Sequence, residues 1–148
     1  MSLFSPAGTF WRDIDFDDVT GDVWLREGNN VVHGVRSGDN AVSGVSVVID
    51  PADADFVVGQ NLAFCRRADG DLIAYNDRPT SSTGAPFETA VRFCRPDGSN
   101  VPYTVITNNP LPAGVGYYDF AFHAPTGTLA VMDFANRQVA IYLLFGAV

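Results

Sequence analysis

Two cysteines and one histidine occupy the same position in a short motif that occurs three times. The three copies read FCRRADG, FCRPDG and FHAPTG, and their second residues are Cys65, Cys94 and His123. Thiolate and imidazole groups bind zinc, but a structural zinc site usually has four ligands, often in close pairs such as CxxC. Neither a close pair nor a fourth ligand stands out in this sequence. We therefore predict that these residues hold no metal or cofactor.

A disulfide between Cys65 and Cys94 is a second possibility, if the two copies are neighbours in the fold. The N-terminal sequence MSLFSPAGTF has no basic segment and no long apolar run, so we expect no signal peptide. A chain that is made in a reducing compartment seldom forms disulfides. We therefore expect two free thiols in buried or half-buried strand positions.

The repeated motif predicts a strand that runs into a tight turn. In each copy an aromatic residue stands five or six positions before a glycine, and the segment FDDVTG fits the same frame. Glycine supplies the positive φ that such turns need, at Gly21, Gly70, Gly98 and Gly127. The preceding aromatic residue is expected to pack across the hairpin, at Phe16, Phe64, Phe93 and Phe122.

Three aspartates alternate with apolar residues near the N-terminus, at Asp13, Asp15 and Asp17. Calcium loops space their carboxylates in this way, but an EF-hand also needs glycine at its sixth position and glutamate at its twelfth. Here those positions hold Asp18 and Trp24. We predict instead a half-buried strand that points Ile14 and Phe16 inward and its acids outward, where charge protects an edge strand. Calcium at the three aspartates is the weaker alternative.

Composition indicates one domain without long helices. The chain has 148 residues, 47% of them hydrophobic, which is enough for a core. Its net charge is −8, it contains no lysine, and nearly all its acidic residues are aspartate, which favours turns over helices. An acidic chain without a basic run binds nucleic acid and anionic membranes poorly. No apolar stretch is long enough to span a membrane.

Alternation of apolar and polar residues between turn sequences predicts strands along most of the chain. The predicted strands are 23–27, 31–36, 41–50, 62–66, 72–75, 91–95, 102–107, 117–123, 128–134 and 138–145. We expect an all-β, mostly antiparallel sandwich or barrel built from hairpins, with a three-stranded meander at the C-terminal end. Residues 1–12 are expected to form an extended arm and residues 13–148 a single domain.

The segment 119–142 carries a resemblance to a known family. It begins with the apolar run Phe120–Phe122, turns at Gly127, and continues through Leu129, Val131, Asp133, Asn136 and Val139. This pattern resembles one blade of an NHL-type β-propeller, and 61–77 resembles the first half of such a blade. The resemblance implies propeller-like blades as the alternative fold, in a chain too short for a closed propeller. It also implies a binding scaffold more than an enzyme, and it assigns no functional residue.

Sequence motifs of catalysis are missing. The chain has no GxSxG, HExxH, P-loop or dinucleotide-binding motif, and its only histidines are His33 and His123. We therefore predict that the protein is not an enzyme. A small hydrolase remains the third functional hypothesis, and it would require His33 or His123 to meet a carboxylate in a pocket.

Both ends of the chain are unusually apolar. The N-terminal arm carries four large apolar residues beside a proline and a glycine, and we expect these to dock on a partner: Leu3, Phe4, Phe10 and Trp11. In the last predicted strand Val139, Ile141 and Leu143 face one way, while Tyr142 and Leu144 face the other. A strand that is apolar on both faces is either central in a sandwich or covered by another chain.

These features favour a non-enzymatic protein that assembles into a homo-oligomer or a larger protein lattice. The specific hypothesis is a bacteriophage-type virion component, such as a capsid decoration, tail or spike protein, made in the host cytoplasm. A carbohydrate-binding module is the alternative, because aromatic side chains can stack on sugar rings. The aromatic candidates for such a site are Trp11, Trp24, Tyr75, Tyr117 and Tyr118.

Overall fold

The described part of the chain consists almost entirely of strands. The computed structural model describes residues 11–27, 30–38, 41–49, 56–79, 91–99, 117–133 and 137–144. The strands are β1 (Trp11–Phe16), β2 (Val23–Glu27), β3 (Asn30–Gly38), β4 (Ala41–Ile49), β5 (Phe56–Cys65), β6 (Leu72–Pro79), β7 (Val91–Cys94), β8 (Tyr117–His123), β9 (Thr128–Asp133) and β10 (Gln138–Leu143). Among these residues only Ala124–Thr126 are helical, as one 3₁₀ turn. The all-β prediction is confirmed.

The strands form three antiparallel meanders in chain order. Sheet A has the order β1-β2-β3-β4, sheet B the order β5-β6-β7, and sheet C the order β8-β9-β10. Within each sheet, every strand pairs with the strand that follows it in the chain, so antiparallel pairs of successive strands build all three sheets. The predicted C-terminal meander is sheet C. The described strands form open sheets and no closed barrel, so the barrel form of the prediction does not hold, and the arrangement is sandwich-like. The alternative of propeller-like blades stays a prediction.

Sheet B lies between the other two sheets, and both of its faces are apolar. On one face Phe64 and Tyr75 pack against Trp24 and Val31 of sheet A. On the other face the side chains of β5, β6 and β7 pack against sheet C, where the contacting residues are Phe120, Leu129, Val131 and Leu144. Since side chains alternate along a strand, a continuously apolar strand fits this middle layer. The result is a sandwich-like stack in the order A, B, C.

The first strands of the three sheets are spatial neighbours. β5 contacts β1 of sheet A and also β8 of sheet C. Each of these three strands is the edge of its own sheet, so no backbone ladder joins one sheet to the next. The first strand of each sheet therefore lies beside the first strand of the next sheet.

The turn glycines behave as the repeated motif predicts. Gly21, Gly70, Gly98 and Gly127 all have positive φ, between 61° and 118°. Gly98 is also a point of close approach, because a Cβ built there would lie 2.4 Å from the carbonyl oxygen of Val48 in β4. The aromatic part of the motif holds less well. Phe64 and Phe93 are buried and Phe122 is half-buried.

Two predictions about the strands at the ends of the described chain need correction. β10 is an edge strand of sheet C, so the first of its two predicted placements, a central position in a sandwich, is wrong. Its apolar side chains alternate between the core and the solvent, and cover by another chain stays a prediction. Phe16 was expected to pack across its hairpin but is 55% exposed.

The N-terminal arm and one predicted strand fall outside the described residues. These are residues 1–10, with Leu3, Phe4 and Phe10, and the predicted strand 102–107. β1 begins at Trp11, which pairs with Glu27, so the last two residues of the predicted arm belong to sheet A.

Candidate functional site

Two of the N-terminal aspartates bond to the backbone of another sheet. One carboxylate oxygen of Asp13 accepts the N–H of Leu62 at 2.9 Å, and one oxygen of Asp15 accepts the N–H of Phe64 at 2.7 Å. The other oxygen of each accepts the N–H of the following residue in β1, at 2.9 and 2.8 Å. The two carboxylates thus join the edge of sheet A to the edge of sheet B. They supply the acceptors that a neighbouring strand would otherwise provide.

Asp17 continues the same series with a charged partner. It bonds to the guanidinium of Arg66, and its Oδ1 also accepts the N–H groups of Val19 and Thr20. Arg66 reaches Asp18 at 3.3 Å and lies over the ring of Phe64, 5.4 Å from its centroid. Each of the three contacts spans 49 residues of sequence. A constant offset means that β1 and β5 run parallel and in fixed register.

The predicted orientation of β1 is therefore wrong. Asp13 and Asp15 point toward sheet B, whereas Ile14 and Phe16 are 51% and 55% exposed. The reason is that β5 is an edge strand whose inner amides need acceptors, and a short carboxylate reaches them from the adjacent edge. Alternation correctly predicted a strand here, but alternation alone does not tell which face is inward.

These bonds also bear on the calcium hypothesis. Both carboxylate oxygens of Asp13 and Asp15, and Oδ1 of Asp17, accept hydrogen bonds from amide or guanidinium donors. Among the described residues no three metal-ligating side chains lie close enough together to hold an ion. The absence of a calcium site at these aspartates stays a prediction.

Burial and hydrogen bonding have opposite effects on the pKa values of Asp13 and Asp17. Burial is the largest influence on Asp13 and raises the pKa of its carboxyl, although the amides of Leu62 and Ile14 oppose it. Burial also acts to raise the pKa of Asp17, but the N–H of Val19 and the Arg66 guanidinium outweigh it, and the pKa is lowered. Ionised Asp17 therefore stabilises the fold, whereas ionising Asp13 has a cost.

A histidine and a carboxylate meet at the boundary between sheets A and B. Nε2 of His33 lies 3.0 Å from Oδ2 of Asp22, and Oδ1 of Asp22 accepts the N–H of Arg36 at 2.9 Å. The ring of Trp24 stacks on His33 with centroids 4.2 Å apart, and on Phe64 at 5.9 Å. The imidazole is thus held by an anchored carboxylate and an aromatic plane.

The chemistry open to this pair is limited by its surroundings. A carboxylate-held imidazole can act as a general base, but hydrolysis by this route also needs a nucleophile and a pocket. Ser46 lies opposite His33 in β4, and no hydrogen bond joins the two side chains in the described structure. The contact satisfies one requirement of the hydrolase hypothesis, which stays a prediction.

The motif residues do not come together. Cys65 packs in the core between sheets B and C, and Cys94 packs between sheets A and B, so the two thiols lie on opposite faces of sheet B. Both are free and fully buried, as expected. Burial raises the pKa of Cys94 to about 12 and that of Cys65 further still. His123 is exposed on sheet C and bonds to Thr126. A disulfide or a shared metal site is incompatible with this arrangement.

Two of the aromatic residues proposed for sugar binding are buried. Trp24 and Tyr75 are 2% and 1% exposed and lie in the core between sheets A and B. Neither can stack on a sugar ring. The side chains of Trp11, Tyr117 and Tyr118 fall outside the described part of the structure.

The outer face of sheet C leaves a row of large apolar side chains open to solvent. In β10 Val139, Ile141 and Leu143 are 57%, 64% and 60% exposed. The register places them beside Met132, Ala130 and Thr128 of β9 on the same face. At one end a polar network of His123, Thr126 and Thr128 borders the face. An apolar centre with a polar border is the usual anatomy of a protein interface.

Comparison with known proteins supplies no relative. No protein-family model, curated protein or solved structure matches this chain. The NHL-type blade resemblance therefore stays a prediction. Within the described residues, no helix has the length and apolar character needed to cross a bilayer.

The contacts between β1 and β5 had no signal in the sequence. Nothing in the residue pattern relates Asp13, Asp15 and Asp17 to positions 49 residues further on, because that offset depends on how the sheets stack. The pair of Asp22 and His33 could have been found from hairpin register, since β2 and β3 are adjacent and Trp24 pairs with His33.

We predict that Asp15→Ala destabilises the protein far more than Ile14→Ala. The first change leaves the buried N–H of Phe64 without an acceptor, which costs about 1–3 kcal/mol. The second removes a mostly exposed side chain and should change the free energy of unfolding by about 0.5 kcal/mol or less. Urea denaturation of the two variants measures both values. A larger loss from Ile14→Ala would show that β1 has the opposite face inward.

Asp17→Asn should reduce stability in a pH-dependent way. Because folding lowers the pKa of Asp17 from 3.8, its contribution is present above that pH and is lost as the pH falls through the folded value. We expect a loss of about 1.5–3 kcal/mol at neutral pH, the usual value for hydrogen bonds to a charged group. The difference from the wild type should shrink below pH 3.8.

Asp18→Asn is the matched control for this experiment. Asp18 contacts the same arginine, but its side chain is 76% exposed, so its removal should matter little at either pH. The measurement is the urea unfolding free energy at neutral and at acidic pH. A pH-independent loss in Asp17→Asn, or equal losses in both variants, would contradict the assignment.

Proposed function

We propose that this chain is a structural subunit that assembles with other protein chains and carries out no catalysis. The carrying observation is the exposed apolar face of sheet C, on which β10 presents Val139, Ile141 and Leu143 to solvent. The sharpest form of the proposal is a component of a bacteriophage-type virion, such as a decoration, tail or spike protein. Partners would be further copies of the chain, a larger protein lattice, or both.

The magnitude of this surface supports an interface that extends beyond β10. Complete burial of one large aliphatic side chain is worth roughly 1.5–3 kcal/mol. Three side chains that are about 60% exposed would therefore contribute about 3–5 kcal/mol before the cost of association is subtracted. A stable interface usually covers about 800 Å² on each partner. The partner must therefore cover neighbouring positions as well, such as Ala130 and Met132 of β9.

The described residues give weaker support to the two competing functions, carbohydrate binding and hydrolysis. The carbohydrate-binding alternative loses Trp24 and Tyr75 to the core. The hydrolase hypothesis keeps the contact between Asp22 and His33, in which the second carboxylate oxygen is bound to a backbone amide. The same contact also links the start of β2 to β3 and so stabilises the β2–β3 hairpin. This structural role explains the contact without any nucleophile.

We predict that the wild-type chain associates in solution and that Ile141→Asp weakens the association. A charge at the centre of the apolar face would have to be buried without a partner on assembly. Val35→Asp is the matched control, because Val35 is another exposed branched aliphatic residue in a strand, but it lies on β3 of sheet A. Light scattering at several concentrations should give masses above 15.9 kDa for the wild type and the control.

The variant Ile141→Asp should shift toward the mass of one chain while its circular dichroism spectrum remains that of a β protein. A wild-type chain that stays monomeric at every concentration would contradict self-assembly. An Ile141→Asp variant that associates as strongly as the control would show that the outer face of sheet C is not the interface.

A further inference from the structure

β10 presents a backbone edge to its surroundings as well as exposed side chains. Leu144 donates its N–H to the carbonyl oxygen of Gly127 at 2.7 Å, in register with the regular pairing of β10 and β9. Hydrogen-bonded positions alternate along an antiparallel pair, so every second residue of β10 turns its N–H and C=O away from β9. These residues are Val139, Ile141 and Leu143, and no described strand pairs with β10 on that side.

The edges of sheets A and B carry features that oppose pairing with a further strand. β1 lies against β5, to which Asp13 and Asp15 bond. β4 pairs with β3 through three register shifts and contains Gly44 with a φ of 61°. β7 has only four residues. Cover by a neighbour, irregular backbone and short length are the usual means by which proteins prevent edge-to-edge pairing.

β10 has none of these features. Its register with β9 is continuous over all six residues, and none of the six is charged. The side chains of Val139, Ile141 and Leu143 are 57%, 64% and 60% exposed, so the residues with edge-facing backbone groups are also those with open side chains. A regular, apolar and exposed edge strand is a template on which another strand can pair.

We propose that β10 pairs antiparallel with β10 of a second copy of this chain, with Ile141 on the two-fold axis. This inference rests on the proposed assembly function and specifies its partner and contact. Ile141 is the middle residue of the edge-facing row, so this register places it opposite its own copy and places Val139 opposite Leu143 of the second copy. Each of these pairs then exchanges both of its N–H···O bonds.

Other registers are less complete. A shift by two residues leaves Val139 or Leu143 opposite a residue outside β10. A shift by one residue places edge-facing backbone groups opposite residues whose groups face β9, and it also brings opposite faces of the two sheets together. The register centred on Ile141 is therefore the one that satisfies the whole edge.

The distribution of charge favours a second copy as the partner at this edge. The chain has a net charge of −8, and like charges placed directly opposite each other destabilise a strand pair. β10 contains no charge, so its self-pairing brings none together and instead forms apolar cross-strand pairs on the outer face. A two-fold contact of this kind closes with two copies and leaves neither β10 edge open. The two copies of sheet C then form one continuous sheet.

Disulfide trapping in the full chain separates edge pairing from face-to-face docking. Opposite Cα atoms of a hydrogen-bonded antiparallel pair are about 5.5 Å apart, within the reach of a disulfide. Sheets that pack face to face are about 10 Å apart, which is beyond that reach. Ile141→Cys is therefore oxidised mildly by itself, and Val139→Cys and Leu143→Cys are oxidised separately and after mixing. The wild type is the control, because its native cysteines are fully buried.

A disulfide-linked dimer, twice the 15.9 kDa of the chain, is expected from Ile141→Cys alone and from the mixture. Neither Val139→Cys nor Leu143→Cys should form it alone, because copies of either residue lie about 13 Å apart along the paired strands. Equal trapping of all three single variants would overturn the register. An associated wild type with no disulfide in Ile141→Cys or in the mixture would overturn edge pairing and leave the assembly proposal standing. A wild type that is monomeric by light scattering would overturn both proposals.

Amide hydrogen exchange in the wild type is a second measurement that needs no substitution. The amide of Ile141 should exchange rapidly in dilute, monomeric protein and slowly at concentrations where the chain associates. The amide of Ala140, which pairs with Val131 of β9, should be protected at both concentrations and is the internal control. Rapid exchange of Ile141 in the associated protein would overturn the strand pairing.

Discussion

The structure depends on a side-chain connection between two sheet edges. β1 and β5 are neighbours, but they belong to different sheets and share no backbone ladder. Asp13 and Asp15 cross the gap and accept the amides of Leu62 and Phe64. Amides of an edge strand that are buried need hydrogen-bond acceptors, and each one left without an acceptor would cost about 1–3 kcal/mol of stability. Two carboxylates on alternate residues meet this need and fix the register of one sheet on the next.

The layered arrangement follows from that register. With β1 held against β5, Trp24 lies between His33 and Phe64, and Arg66 lies over Phe64 and reaches Asp17. Sheet B then presents its second face to sheet C. The exposed apolar side chains of β10 are the observation on which the proposed assembly role rests.

Strand positions were predictable from the sequence because they depend on local pattern. Residues 23–27 and 117–123 match the predicted strands, and the positive φ of the turn glycines follows from their place after each strand. Local pattern could not orient β1, because Asp15 and Phe16 alternate equally well in either orientation. It also could not show that β10 is an edge strand, since a strand with two apolar faces fits a central position or an open end equally.

The cysteines illustrate the same limit. Cys65 and Cys94 occupy equivalent places in a repeated motif, yet one packs toward sheet C and the other toward sheet A. The motif fixes a strand and its turn, whereas the face on which a residue lies depends on which sheet packs there. Contacts such as those of Asp13 and Asp15 arise only from the stacking, which is why the candidate surfaces had to come from the structure.

Amide hydrogen exchange at Leu62 and Phe64 tests the central connection most directly. The two amides have carboxylate acceptors, so at neutral pH they should be protected to a degree similar to Ala63, whose register partner is Ala74 in β6. In Asp15→Ala the protection of Phe64 should fall selectively, while Ala63 keeps its own. Rapid exchange of Phe64 in the wild type, or unchanged protection in Asp15→Ala, would contradict the account.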